Sequence, residues 1–436
     1  MADYSFITKH KLMHIMEKMS LNSDAYVKHP GKDFTRARKI SFLDTLRFLT
    51  SLGGSCMDKE LLDFYSYNPD LPTTSAMLQQ RSKLKPNTMK KLFCDFTASL
   101  PKHSHFHGYH LLAADGSEIS FPENKKEPLC HRKIPNTEKG KNAVHLNALY
   151  HLNSGIFEQV LFQAAHEMDE HSALITMLEQ TELSGKAILT ADRGYESYNT
   201  FAHILEKGWN FVIRGRQGER GILSSLNVPD QEQFDVVCPI VICKKHCRGT
   251  KQHPEKYKRI RSGAKFDFFT ENQTEYPMEL RVVKLKINEE LSEILFTNLS
   301  KEEMPARMLQ EIYRKRWMIE TAFSQLKYNL GAKALHSKKA EYVLQELYAK
   351  VIMFNYCKSI LSHISLPQKV SWKYDYQISL STAVDICLKS WRCPNETAPP
   401  DVEILLLKYK VPIRKERSFP RTPSPKAVIY FTYRIA

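Results

Sequence analysis

The apolar positions fall into three regimes along the chain. Up to about residue 105 they recur with helical spacing: an apolar-rich helix over Ile40 to Leu52, then two short helices, Asp58 to Tyr65 and Thr74 to Leu84. The run Asn68-Pro69-Asp70-Leu71-Pro72 separates the last two as a turn. From His110 the pattern becomes strand-like. HLLAAD, AVHLNALYHL and FEQVLFQAA are short apolar or alternating runs bounded by polar residues or Gly. A helix over Asp169 to Leu183, a strand over Lys186 to Thr190, a helix over Tyr198 to Glu206 and a strand over Trp209 to Ile213 follow. Three strands and then alternating helix and strand predict a mixed α/β sheet.

Residues 216 to about 290 interrupt this order with a polar, basic stretch of short strand-like pieces. ELRVVKLKI and EILFTNL return as strands, and one long helix is expected from about Glu303 to Leu330, with further helices to about Ile364. Beyond Val411 the segment RKERSFPRTPSPK is a Pro-interrupted basic tail suited to lying along phosphate or to solubilising the chain. The expected organisation is a helical DNA-binding domain over 1–105, a catalytic core over 106–215 and 296–365, a β-rich insertion over 216–295, and a C-terminal region with the basic tail over 366–436.

Charge narrows the choice of partner. The 436 residues carry 63 Lys plus Arg against 48 Asp plus Glu, a formal +15. That excess favours a polyanion bound with counterion release. No apolar run approaches the roughly 20 residues a membrane helix needs, and Met1-Ala2-Asp3-Tyr4 does not open a signal peptide. Nine scattered cysteines read as reduced thiols of a cytosolic protein. Cys238, Cys243, His246, Cys247 and His253 lie close in sequence, but no C-x2-C pair occurs and the flanking residues read as strand.

Two aspartates sit where apolar runs end. Asp115 closes HLLAAD before Gly116-Ser117, and Asp192 closes KAILTA before Arg193-Gly194-Tyr195. Taken singly, each reads as a turn residue. On the long helix, Tyr313, Arg316, Glu320 and Lys327 stand at offsets that fall within a stripe about 60° wide. An apolar stripe of Ile312, Ile319, Phe323, Leu326 and Leu330 lies roughly 100° away. The polar stripe therefore flanks the buried face. Three carboxylates from two strand ends and a later helix suit two divalent cations, one at an attacking and one at a leaving oxygen. Hard oxygen ligands favour magnesium, with manganese as a substitute. His166, Glu167, Asp169, Glu170 and His171 read as a polar loop capping the helix that starts there.

With these residues in place, the sequence resembles the DDE transposases of the insertion-sequence-four family. The likeness rests on AADGS around Asp115, TADRGY around Asp192, and the Y-x2-R-x3-E-x6-K signature met by Tyr313, Arg316, Glu320 and Lys327; DFTRARKISF adds a weaker match. The resemblance implies a ribonuclease-H-like mixed sheet with flanking helices and a β-rich insertion. It implies that Asp115, Asp192 and Glu320 hold the metals and that Tyr313, Arg316 and Lys327 contact phosphates. The reaction implied is strand cleavage at a transposon end and attack by the freed 3′-hydroxyl on the opposite strand, as a hairpin, or on target DNA. The partners implied are double-stranded DNA, as terminal inverted repeats and target, and a second copy of the chain in the synapse, in the cytoplasm of a bacterium at its nucleoid. Some family members flip a base onto a Trp, which this sequence lacks between 210 and 316; Phe296 is the substitute considered, and Trp317 is expected to pack. Further DNA contacts are expected from Gln79, Gln80, Arg81 and Lys83 on the helix after the turn. Others are expected from Lys256, Lys258, Arg259 and Arg261 in the insertion. A non-catalytic repressor or domesticated end-binding protein, and a stand-alone nuclease on the same fold, are the competing readings.

Overall fold

A computed structural model of the chain describes residues 4–102, 106–134, 140–218, 221–245, 248–260, 263–288, 291–368, 373–393 and 401–413. The basic tail from 414 lies outside the described residues, as do Arg261, His246 and Cys247.

The first third is helical: α1 (Tyr4–Leu21), α2 (Phe42–Ser51), α3 (Met57–Phe64), α4 (Thr74–Ser82) and α5 (Thr88–Ser99). Two of these starts have a side-chain cap. Ser41 and Asp44 form a reciprocal capping box at α2, and Thr73 caps α4. Strands β1 (His110–Phe121), β2 (His131–Lys133), β3 (Gly140–His151) and β4 (Ile156–Ala164) follow. Next come α6 (Glu170–Gln180), β5 (Ala187–Ala191), α7 (Tyr198–Glu206) and β6 (Asn210–Arg214). The region expected as an insertion holds β7 (Phe234–Cys243), α8 (Arg248–Gln252), β8 (Tyr257–Arg259), β9 (Glu275–Lys286) and most of β10 (Ser292–Thr297). The chain then forms α9 (Ala306–Lys315), α10 (Trp317–Tyr328), α11 (Ala340–Ser362), β11 (Asp375–Ile378), α12 (Leu380–Arg392), α13 (Val402–Lys408) and β12 (Lys410–Ile413). None of the described helices is long and apolar enough to cross a membrane.

Ten of the described strands make one sheet in the order β2-β3-β1-β5-β6-β10-β9-β7-β8, with β4 also on β3. β3 runs antiparallel to both β1 and β4, while β5 and β6 run parallel to β1. Helices flank this mixed sheet, an architecture compatible with a ribonuclease-H-like core. The strands of the interruption add to the same sheet, because β10 pairs with β6 on one side and β9 on the other.

Buried α11 is the hub that joins the helical bundle to the sheet. Its Asn355 accepts from the Phe157 amide at 2.8 Å and donates to the Phe157 carbonyl at 2.8 Å and to Thr97 Oγ1 at 3.0 Å. Lys350, 2% exposed, donates to the Leu330 carbonyl at 2.8 Å and to the carbonyls of Leu52 and Gly53. Unpaired groups at such depth are costly, so these bonds fix the helices relative to one another.

Candidate active site

Register places the two aspartates. β1 and β5 are parallel neighbours, with Ala114 opposite Ala191, so Asp115 and Asp192 follow side by side. β5 stops at Ala191, whereas β1 runs on to Phe121. Asp115 is thus mid-strand, a correction to the strand end read from the sequence. It is reachable because its neighbour has ended. Asp192 turns the chain, accepting from the Gly194 amide at 2.7 Å, and Asp115 accepts from the Gly116 amide at 2.8 Å.

The long helix expected from about Glu303 is two segments. At Arg316 the bonding tightens to i→i+3, with Arg316 N to the Tyr313 carbonyl and Ile319 N to the Arg316 carbonyl, both 3.0 Å. The apolar stripe packs inward as expected, and Tyr313 and Arg316 go with it. Arg316 donates through Nη2 to Glu320 at 2.9 Å and through Nη1 to Asp115 at 3.4 Å, bridging helix and strand. Its guanidinium lies 5.7 Å from the Tyr313 ring centre and 5.1 Å from that of Trp317, and its Nε is buried without a partner. Lys327 Nζ donates to Ser117 Oγ at 2.7 Å.

Electrostatics follow from this packing. Burial pushes the Asp115 carboxyl up to about 6; the Gly116 amide and Arg316 oppose the rise, and the Asp192 and Glu320 charges add to it. The charges of Asp192 and Glu320 thus reach Asp115. Burial, with the nearby Lys333 charge, lowers the Lys327 ammonium to about 8. Among the described residues no three His, Cys, Asp or Glu side chains are gathered around one point as an ion would need; Arg316 bridges Asp115 and Glu320 instead. The donor chemistry nonetheless fits divalent cations. The site offers the hard carboxylate oxygens of Asp115 and Asp192 on adjacent strands and of Glu320 across Arg316.

Neighbours missed in the sequence complete the site. His145 on β3 pairs with Glu170 at 3.0 Å, and both press on Gly116, where an added Cβ would lie 2.3 Å from His145 Nε2 and 2.5 Å from Glu170 Oε1. Asp169 caps α6, as expected of that loop, accepting from the Ser172 amide at 3.0 Å. No spacing in the sequence links His145 to Glu170; the β3–β4 turn and α6 bring them together.

Other expected contacts fare unevenly. Gln79 is exposed, but Gln80 is buried and accepts from Lys83 at 2.7 Å. Arg81 is 2% exposed and spent on Gln345, Glu346 and the Tyr342 carbonyl, so it has no face for DNA. Lys256 and Arg259 are exposed; Lys258 is 7% exposed and donates to the Ser225 and Pro254 carbonyls, which makes it a brace. Phe296 is fully buried against Phe201 and cannot receive a base. Trp317, expected to pack, is 54% exposed. Cys238 and Cys243 are buried on β7, and the described cysteines are free thiols.

The family described as Transposase DDE domain matches residues 106–356. Among solved structures, a cryo-EM structure of the piggyBac transposase synaptic complex with hairpin DNA is similar, at 10% identity and a TM-score of 0.47, over 91% of this chain and 82% of that one. No curated protein matches.

Proposed function

The chain belongs to the DDE transposase domain family, and from that premise we propose that it is a transposase of the insertion-sequence-four type, with Asp115, Asp192 and Glu320 as its catalytic carboxylates. In this reading it binds terminal inverted repeats, hydrolyses one strand at the transposon end and joins the 3′-hydroxyl to target DNA, by way of a hairpin. Two copies would form the synapse, at the bacterial nucleoid. The observation that carries the reading is the convergence of Asp115 and Asp192 by parallel register, with Arg316 linking Asp115 to Glu320.

Two divalent cations, magnesium or manganese, held by the three carboxylates would supply activation of the attacking oxygen and charge neutralisation at the leaving one. The chain's own residues do the rest. Arg316 favours the ionised form of Asp115 and holds Glu320 toward it. Lys327, tied to Ser117 two residues beyond Asp115, sets a second cation beside the same strand. Exposed Lys256 and Arg259 carry the backbone contact proposed for the β-rich extension, and exposed Gln79 that proposed for the helical N-terminal region.

Labelled transposon-end DNA and magnesium with the purified protein test this. Asp115→Ala, Asp192→Ala and Glu320→Ala should each abolish cleavage and leave end binding largely intact. Near-normal cleavage by any of the three removes that residue from the set. Binding without cleavage by the unaltered protein favours the repressor reading.

A further inference from the structure

Of the DNA contacts expected at Gln79, Gln80, Arg81 and Lys83, Arg81 is turned into the core. Two residues on, at the C-cap of α4, Lys83 lines a cavity of ≈ 730 Å³ in the N-terminal bundle. The opposite wall is the loop before α2, which contributes Lys32, Phe34, Arg36 and Arg38. Four cations line this cavity and no acidic residue does.

The surrounding acids are already committed. In the same loop, Asp33 accepts from the amide and ring of His29 at 3.1 and 3.2 Å, and Asp24 accepts from the Gly31 amide at 2.9 Å. Cations just outside the cavity are paired: Lys28 with Glu341 at 2.6 Å and Lys39 with Asp70 at 3.6 Å. Among the described residues, Lys32, Arg36, Arg38 and Lys83 have no acid within ion-pair distance. Lys83 is instead held by Gln80 and lies 5.1 Å over the Phe34 ring. Phe34 adopts left-handed backbone, φ 60, a costly conformation for a residue with a side chain, whereas Gly31 at φ 69 turns the loop without that cost. Concentrated, unneutralised positive charge lowers stability by self-repulsion unless an anion takes it up.

We propose that this groove binds the phosphodiester backbone of DNA, as a second contact site separate from the carboxylates. It deepens the transposase reading and rests on it for the identity of the DNA. The pocket is far larger than one phosphate needs, and its mix of Arg, Lys and one aromatic suits a run of backbone. The C-terminal end of α4 serves both: Lys83 faces the groove, while Arg81 is locked to Glu346 of α11 at 2.9 Å. A strand held in the groove is thereby held in a fixed relation to the catalytic helix that packs beside α11.

The test uses the full chain in chelator, so that cleavage does not intervene, with fluorescent transposon-end duplex and anisotropy over a series of salt concentrations. The triple variant Arg36→Ala/Arg38→Ala/Lys83→Ala should bind more than ten-fold more weakly at low salt. Its slope of log K against log salt should flatten by roughly 2.7, at about 0.9 for each phosphate contact. The charge-preserving variant Arg36→Lys/Arg38→Lys/Lys83→Arg should keep the slope. Exposed Ala37 gives a measurement that needs no loss of binding: Ala37→Cys carrying an azidophenacyl group should photocrosslink to the duplex. An unchanged slope in a folded triple variant, or no crosslink from labelled position 37, overturns the groove. Failure of the unaltered protein to cut with magnesium while the slope still responds overturns the transposase reading and leaves the groove standing.

Discussion

Replacing Arg81 with Met should cost about 3–5 kcal/mol at pH 7, the range for removing one partner of a buried ion pair. The guanidinium donates to Gln345 Oε1 and Glu346 Oε1, each at 2.9 Å, and to the Tyr342 carbonyl. Glu346 is fully buried, and its second oxygen accepts from the His336 amide at 2.8 Å and ring at 3.1 Å. Burial works to raise the Glu346 carboxyl, but Arg81 and then His336 override it and hold it at about 2. Relative to an ordinary 4.5, that depression corresponds to about 3 kcal/mol of preference for the paired, ionised form. A depressed carboxyl contributes fully above its unfolded value and loses the contribution as pH falls from about 4.5 to about 2. Urea unfolding followed by circular dichroism should therefore show a large gap between Arg81→Met and the unaltered protein at pH 7 that narrows at pH 3. Adding Glu346→Gln should restore at least half of the loss, because no charge is then stranded. A loss below about 1 kcal/mol at pH 7, or a gap that does not change with pH, would refute the view that this pair locks the N-terminal helices to α11.

Asp115→Asn should stabilise the protein above pH 6 by up to about 3 kcal/mol, offset in part by the weakened Arg316 contact, and by nothing below pH 4. The sign follows from a folded-state carboxyl raised from 3.8 to about 6; thermal melts across pH check it, and destabilisation at pH 7.5 would count against it. Gly116→Ala should break the His145–Glu170 pair, which stands where the new methyl would sit, and slow cleavage at least ten-fold without loss of end binding. Lys258→Ala should lower stability by about 1–3 kcal/mol by stranding two carbonyls, whereas Lys256→Ala and Arg259→Ala should stay within about 0.5 kcal/mol. Equal effects on stability in denaturant would place Lys258 on the surface after all.

What the sequence determined by itself is what local period and short motif can carry. Apolar spacing marked α2, α3, α4, α6 and α7 because an amphipathic helix must repeat its buried face about every 3.6 residues. The acids on β1, after β5 and on α10 were legible because apolar runs closing on Asp before Gly or Arg-Gly, and the helical offsets of Tyr313, Arg316, Glu320 and Lys327, leave a local signature. Only the tertiary structure decided the rest. Helical period gives a residue's angle but not which neighbour occupies that side, so Arg81 could be read as surface when Gln345 and Glu346 of α11 enclose it. Strand pattern gives alternation but not the partner, so the interruption could be read as a separate module when β10 joins it to β6. Asp115 looked like a strand end because its own run of apolar residues stops there. It is reachable for a different reason: the parallel neighbour ends at Ala191 while β1 continues, and where a neighbouring strand ends is a property of the sheet.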